Sequence, residues 1–286
     1  MTLALLFLMI GLCIYSCTLD GFDDALKFIF YPDFSKFKTS GILEALGLSF
    51  FTLSLGQGIM LTYGSYMRHT EDIPKTSFII GGMIILVSIL AGLTIFPVIF
   101  TFGFEPGSGP GLVFKTLPVL FAKLPGALLI STSFFILFVF TALTSSIAMV
   151  EAVSANFIDL YGWSRKRAVL TTGISCFIFG IPSALSGTDW LFAKWPQIFG
   201  HSFFDTVNDL VSIWLLPVGG LMIAIYAGWF LDEKISKEEF EAGTAYKWMW
   251  KPWRFFMRWV APIAILCIIL QQAGIINFDS IFATHP

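Results

Sequence analysis

Charge is scarce in this sequence. Of 286 residues, 13% are charged, and the 17 basic and 19 acidic side chains nearly cancel. A soluble globular domain carries about 25% charge, and a nucleic-acid-binding surface needs a basic excess. A soluble cytosolic enzyme, a nucleic-acid-binding module and a disordered chain are excluded, and no nucleic-acid partner is expected. Cysteine and histidine are also few. Cys13, Cys17, Cys176 and Cys267 all lie in apolar stretches and form no C-x-x-C pair, so they are expected to be small buried thiols in packed helices. His69, His201 and His285 fall between or after the apolar stretches, which suggests no metal site. There is no G-x-x-x-x-G-K-[ST] loop for ATP.

What is abundant is apolar surface. Hydrophobic residues make up 56% of the chain, with 32 Phe and 9 Trp, and the mean hydropathy is +0.82. Crossing the hydrocarbon core as helix takes about 20 mostly apolar residues. Seven stretches qualify, at 3–17, 42–67, 77–103, 125–157, 168–187, 206–231 and 257–276, and three of them (3–17, 77–103 and 168–187) carry no charge in their interior. The pattern lacks the short alternating period of a membrane β-barrel. The prediction is an all-α integral membrane protein with about seven transmembrane helices, residues 1–286 forming a single transmembrane domain in the lipid bilayer.

Lys and Arg set the orientation. One set of alternate connections holds 11 of the 17 basic residues, among them Arg165, Lys166 and Arg167 and six between Lys234 and Arg258; the other holds six. The richer set is predicted to be cytoplasmic, with the N-terminus cytoplasmic and the C-terminus periplasmic. A seven-helix receptor runs the other way. The stretch 232–256 passes from charged to aromatic and basic, as suits a cytoplasmic loop ending in an interfacial anchor. Connections 18–40, 104–124 and 188–205 are rich in Phe, Pro, Gly and Trp and poor in charge, and are expected to fold back on the protein. The chain opens inside an apolar stretch with no basic lead, so the first helix is expected to be cut partway, with no signal peptide.

Three places depart from plain apolar helix. The second stretch reads FTLSLGQG at 51–58. Glycine costs about 1 kcal/mol relative to alanine within a helix, and hydrocarbon offers no water to freed backbone groups. Two readings stay open: a broken helix whose exposed N–H and C=O groups meet an ion or a charged substrate group, and close helix packing through small residues. The fourth stretch holds TALTSS at 141–146, where Thr141, Thr144 and Ser145 share a face. Such oxygens suit an alkali cation, and intrahelical back-bonding is the competing account. Finally, Glu151, Asp159 and Asp209 lie in or at the ends of apolar stretches; carboxylates there are costly and usually functional, although the two at the ends are explained as well by solvation. With no histidine inside any stretch, no base stands beside the hydroxyls, and an enzyme is not expected. Transport would draw on a gradient rather than on nucleotide.

FFTLSLGQGIMLTYGSY at 50–66 closely resembles the sixth helix of the neurotransmitter:sodium symporters, particularly their bacterial amino-acid transporters. LTSSIA at 143–148 resembles their eighth helix, and TLPVLF at 116–121, LLPVGG at 215–220 and DIPK at 72–75 add to the likeness. Order and spacing agree over essentially the whole chain. The resemblance implies an inverted-repeat symporter fold of which this chain holds helices five to eleven, the first four being absent. A C-terminal fragment is therefore expected, with a separate N-terminal half as a possible partner.

The resemblance also implies roles. Phe51, Thr52, Ser54, Gln57, Ser145 and Met149 match substrate-binding positions. Thr52 matches a ligand of the first sodium, and Thr144 and Ser145 match ligands of the second. Thr141 falls where the family uses a backbone carbonyl for that ion. Tyr66 and Asp159 match the cytoplasmic gate and Asp209 the extracellular gate. Ile84 replaces an oxygen ligand of the first sodium, which leaves the second as the coupling site. Ser88 alone among chloride ligands is present, so Na+ is the expected coupling ion and chloride is not expected. Gln57 replaces an aromatic wall residue, which disfavours a purely aliphatic substrate. The implied function is sodium-coupled symport of an amino acid or related small amine across the bacterial inner membrane. The alternative is a non-transporting remnant or half-subunit.

Overall fold

The structure, a computed structural model, describes residues 2–31, 33, 39–107, 109–186, 188, 192 and 194–276. The C-terminal end, His285, and parts of the connections 18–40 and 188–205 lie outside the described residues. Among those described, the secondary structure is helical, with no strand. The principal helices are α1 (Thr2–Ser16), α2 (Phe22–Phe30), α3 (Thr39–Thr52), α4 (Ile59–Ser65), α5 (Ile73–Thr101), α6 (Leu117–Phe121), α7 (Ala127–Tyr161), α8 (Arg165–Leu185), α9 (Phe203–Phe230), α10 (Glu233–Glu241) and α11 (Lys247–Gln272). All seven predicted stretches are helical, the second in two pieces, α3 and α4. Among the described residues five helices, α5, α7, α8, α9 and α11, are long and apolar enough to cross a membrane. The apolar helix Leu3–Ser16 and the two pieces of the broken stretch are shorter.

Contacts divide the chain into two compact units. One comprises Met1–Lys36 and Ile80–Ile147, the other Phe37–Ile79 and Ala148–Pro286. The core of the first unit is Leu12 of α1, Val98 and Ile99 of α5, Leu117, Leu120 and Phe121 of α6, Leu124, and Ile130 and Phe134 of α7. Pro97 interrupts the hydrogen-bond ladder inside α5. Beside it, Ser16 donates its hydroxyl to the carbonyl of Thr94 at 2.9 Å, buried, and the N–H of Gly21 donates to Thr101 Oγ1 at 3.0 Å. A Cβ on Gly21 would overlap the backbone of Pro97 and Thr101, so glycine is required where the chain turns into α2.

In the second unit α9 packs along α11. A Cβ on Gly228 would stand 2.9 Å from Arg258 Cα, so the absent side chain lets the two backbones approach. Trp229 Nε1 donates to the Arg258 carbonyl at 3.1 Å, and the Arg258 guanidinium lies 4.2 Å from the Trp229 ring centre. Both helices contain π-helical turns, at Leu210–Leu215 and Tyr226–Phe230 in α9 and at Phe256–Val260 in α11. Ser164 caps α8 by accepting from the N–H of Arg167, and Asp232 caps α10 by accepting from the N–H groups of Lys234 and Ile235 at 2.7 and 3.3 Å. The 232–256 stretch is thus an ordered helix followed by the first turns of α11.

One expectation needs correcting. Cys13 is buried, but Cys17 and Cys176 are exposed. They sit beside other outward apolar side chains; Phe177 and Phe179 of α8 are 73% and 79% exposed. Hydrocarbon accommodates such a face, and a thiol is apolar enough to share it.

Candidate functional site

The second apolar stretch breaks. α3 ends at Thr52, α4 begins at Ile59, and residues 53–58 between them are not helical. The break opens as a Schellman turn: the N–H of Leu55 donates to the Phe50 carbonyl at 2.8 Å and that of Ser54 to the Phe51 carbonyl at 3.0 Å. That turn needs a left-handed residue at Ser54, whose φ is 53°. A non-glycine residue there is strained. Gly56 and Gly58 follow at φ 80° and 79°, and Gly58 is the N-cap of α4.

The helix is broken here, and the glycines also serve close packing. A Cβ on Gly56 would overlap the Leu216 carbonyl, and one on Gly219 would overlap the Gly56 carbonyl. The broken segment therefore lies backbone to backbone against α9. One residue on, a Cβ on Gly220 would meet the Phe50 ring at 2.6 Å. Close packing holds the break open, and among the described residues no hydrogen bond satisfies the backbone N–H groups of Gly56 and Gln57.

The side chains around the break are available. Phe51 is 49% exposed, and Thr52 donates to the Leu48 carbonyl at 2.9 Å. The hydroxyl of Ser54 and the amide of Gln57, both half-buried, have no hydrogen-bond partner among the described residues. On α7, Thr141 donates to Leu137 and Thr144 donates to the Thr141 carbonyl, at 2.9 and 2.8 Å. Back-bonding therefore does occur. It spends the proton and leaves the oxygen lone pairs, so a hydroxyl held this way can still accept a cation. The hydroxyl of Ser145 makes no hydrogen bond among the described residues, and Met149 one turn on is exposed. Ile84 is half-buried in α5 and offers no oxygen.

At the far end of α4, Tyr66 donates its hydroxyl to Glu151 Oε1 at 2.8 Å, and Arg165 Nη2 donates to Glu151 Oε2 at 2.8 Å. The Glu151 side chain is 17% exposed and that of Arg165 69%. The carboxylate is thus the covered member, held from α4 and α8. Asp159, two turns on, is exposed and makes no ion pair with another described residue; Asp209 is half-buried and also makes none. The segment after α4 is held a second time. His69 Nδ1 lies 3.0 Å from Glu239 Oε1 of α10, and Gly243, at φ 68°, takes the Thr70 carbonyl where a Cβ would otherwise stand. Sequence reasoning singled out Glu151 as an acid in an apolar stretch but did not pair it with Tyr66. Arg165 entered only as one of the cytoplasmic charges. The need of such an acid for a partner is the signal that points to both.

The family model described as "Sodium:neurotransmitter symporter family" matches residues 1–283. An uncharacterized sodium-dependent transporter of Bacillus subtilis (strain 168) is 39% identical over 279 residues, which cover 96% of this chain and 60% of that protein. One of Haemophilus influenzae is 35% identical over 273 residues, 95% of this chain and 58% of that protein. Among solved structures, MhsT in complex with L-phenylalanine superposes with a TM-score of 0.79 at 36% identity, covering 94% of this chain and 60% of MhsT. The chain spans about 60% of the length of these relatives. On the family match over residues 1–283 and the identity to the Bacillus subtilis transporter, the chain belongs to the sodium:neurotransmitter symporter family.

Proposed function

We propose that this chain forms part of a sodium-coupled symporter that carries an amino acid or related small amine across the bacterial inner membrane. The observation that carries the reading is the broken helix at residues 53–58, packed on α9 so that its backbone polar groups stay free inside an apolar stretch. In hydrocarbon such groups need a ligand or protein partner, and discontinuous helices are the device by which symporters of this kind meet ions and charged substrate groups. The crystal structure of the relative MhsT holds L-phenylalanine, which supports an amino acid as substrate class. The activity is proposed for a molecule of the relatives' full length, of which this chain spans about 60%.

Phe51, Thr52, Ser54 and Gln57 are assigned to the substrate, the Gln57 amide favouring a side chain that is not purely aliphatic. On α7, Ser145 and Met149 are assigned to substrate contacts. Thr141, Thr144 and Ser145 are assigned to the coupling sodium, Thr141 through its carbonyl; Thr52 would contribute to a further sodium site that Ile84 leaves short of oxygen. Chloride has no part in this scheme. The Tyr66–Glu151–Arg165 contact is assigned to the cytoplasmic side with Asp159, and Asp209 to the opposite side.

The test is sodium-driven uptake of labelled amino acids into membrane vesicles. The vesicles would hold this chain joined to the segment of the Bacillus subtilis relative that it does not match. Uptake that follows an inward sodium gradient and collapses when the gradient is dissipated is expected. Uptake indifferent to sodium would contradict the proposal.

A further inference from the structure

We propose that the cavity lined by the start of α5, by α10 and by the first turns of α11 binds a small hydrophobic organic cation, an ammonium group on an apolar body. The cavity has a volume of about 580 Å3, within the range of roughly 300–1,000 Å3 of small-molecule sites. Its walls include Ile73 and Phe78 of α5, Phe240 of α10, and Met249 and Trp253 of α11. Glu239 is the one charged side chain among the lining residues.

This lining selects the charge of the ligand. Aromatic faces carry negative potential and attract cations within about 6 Å, and the methionine sulfur is polarizable. A carboxylate among such groups repels an anion and gives an ammonium a partner. Two of the rings are held in place before anything binds: Phe240 is 7% exposed and packs with Trp253 at 5.3 Å and Trp250 at 5.6 Å between ring centres. The third, Phe78, is 64% exposed and free to close over a ligand. Glu239 is half-exposed, and its partner His69 has a side chain 85% exposed. An incoming ammonium can therefore share the carboxylate without stranding a buried charge. The cavity shares no residue with the break at 53–58, so the inference does not rest on the transport reading.

The experiment is calorimetric titration of the purified chain in phosphatidylglycerol nanodiscs with phenethylammonium, phenethyl alcohol and 3-phenylpropionate, three probes of one body and different charge. The cation should bind about tenfold more tightly than the alcohol, from the ring faces and the carboxylate together, and the anion most weakly. Glu239→Gln should remove most of this preference, leaving only the part the ring faces give. Phe78→Leu, at an exposed position, should weaken both without lowering the melting temperature. Equal binding of cation and alcohol, or a Glu239→Gln variant that binds the cation as before, would overturn the proposal. Loss of binding in Gln57→Ala but not in Glu239→Gln would place the amine at the break and overturn it as well. Displacement of the probe by phosphatidylethanolamine would overturn the choice of a soluble amine in favour of a lipid one.

Discussion

Tyr66 and Glu151 lie 85 residues apart in the chain and meet through a 2.8 Å hydrogen bond. The contact ties the last turn of the broken helix to α7, and Arg165 closes it from α8 at 2.8 Å. Any movement of α4 away from α7 must break this contact or carry the carboxylate with it.

Removing Arg165 should be felt at Glu151. Arg165→Ala leaves a mostly covered carboxylate with one neutral donor, and is expected to lower stability by about 1–3 kcal/mol, the range for a buried polar group that loses a partner. Glu151→Gln keeps an acceptor for Tyr66 and leaves only the exposed guanidinium unpaired, so its cost should be smaller. Thermal unfolding of both variants in detergent gives the comparison; the reverse order would mean that Arg165, not Glu151, is the covered partner.

Ser54 carries strain at the mouth of the break. Ser54→Gly relieves a left-handed residue, worth about 1–2 kcal/mol, and should raise the melting temperature. The same change deletes a hydroxyl assigned to the substrate, so substrate affinity should fall as stability rises. A melting temperature that falls would show that the hydroxyl holds the turn.

Two glycines at the break, Gly219 and Gly58, should rank differently. Gly219→Ala drives a methyl into the Gly56 carbonyl, and overpacking of this kind costs about 1–3 kcal/mol and shifts backbone. Gly58 has open space where its Cβ would stand but a φ of 79°, so Gly58→Ala should cost about 1–2 kcal/mol from conformation alone, with no backbone displaced. Unfolding midpoints should place Gly219→Ala below Gly58→Ala, and transport in the joined protein should follow the same order.

The basic asymmetry sets a topology. A reporter inserted in the 232–256 stretch should read as cytoplasmic, and one fused after Pro286 as periplasmic. Exchanged signals would invert the orientation and, with it, the side assigned to the Tyr66–Glu151 contact.

The helices were legible in the sequence because each apolar stretch is long and its charges gather at its ends. The break was legible from Gly56, Gly58 and the hydroxyls around them, since few reasons exist to interrupt a helix in hydrocarbon. That Ser54, rather than a glycine, takes the first left-handed position was not legible: the Schellman turn is fixed by where Gly56 must meet Leu216 and Gly219, a contact across 160 residues. The choice of Glu151 over Asp159 as the partner of Tyr66 was hidden for a similar reason. Two acids on one helix, two turns apart, look alike until the position of α4 along α7 is known. The docking of the 66–72 segment on α10 through His69, Glu239 and Gly243 left no periodic trace either.

The most direct test of the central claim is the apparent sodium affinity for uptake in the joined protein, with Thr144→Val and Ser145→Ala measured beside the parent. Each hydroxyl holding a desolvated ion should contribute about 1.5–3 kcal/mol, by analogy with hydrogen bonds to charged groups, or roughly ten- to a hundredfold in affinity. The account predicts that both variants need that much more sodium for half-maximal uptake. Sodium dependence unchanged in both would remove the ion from α7 and leave Thr144 a back-bonded residue in a packed helix.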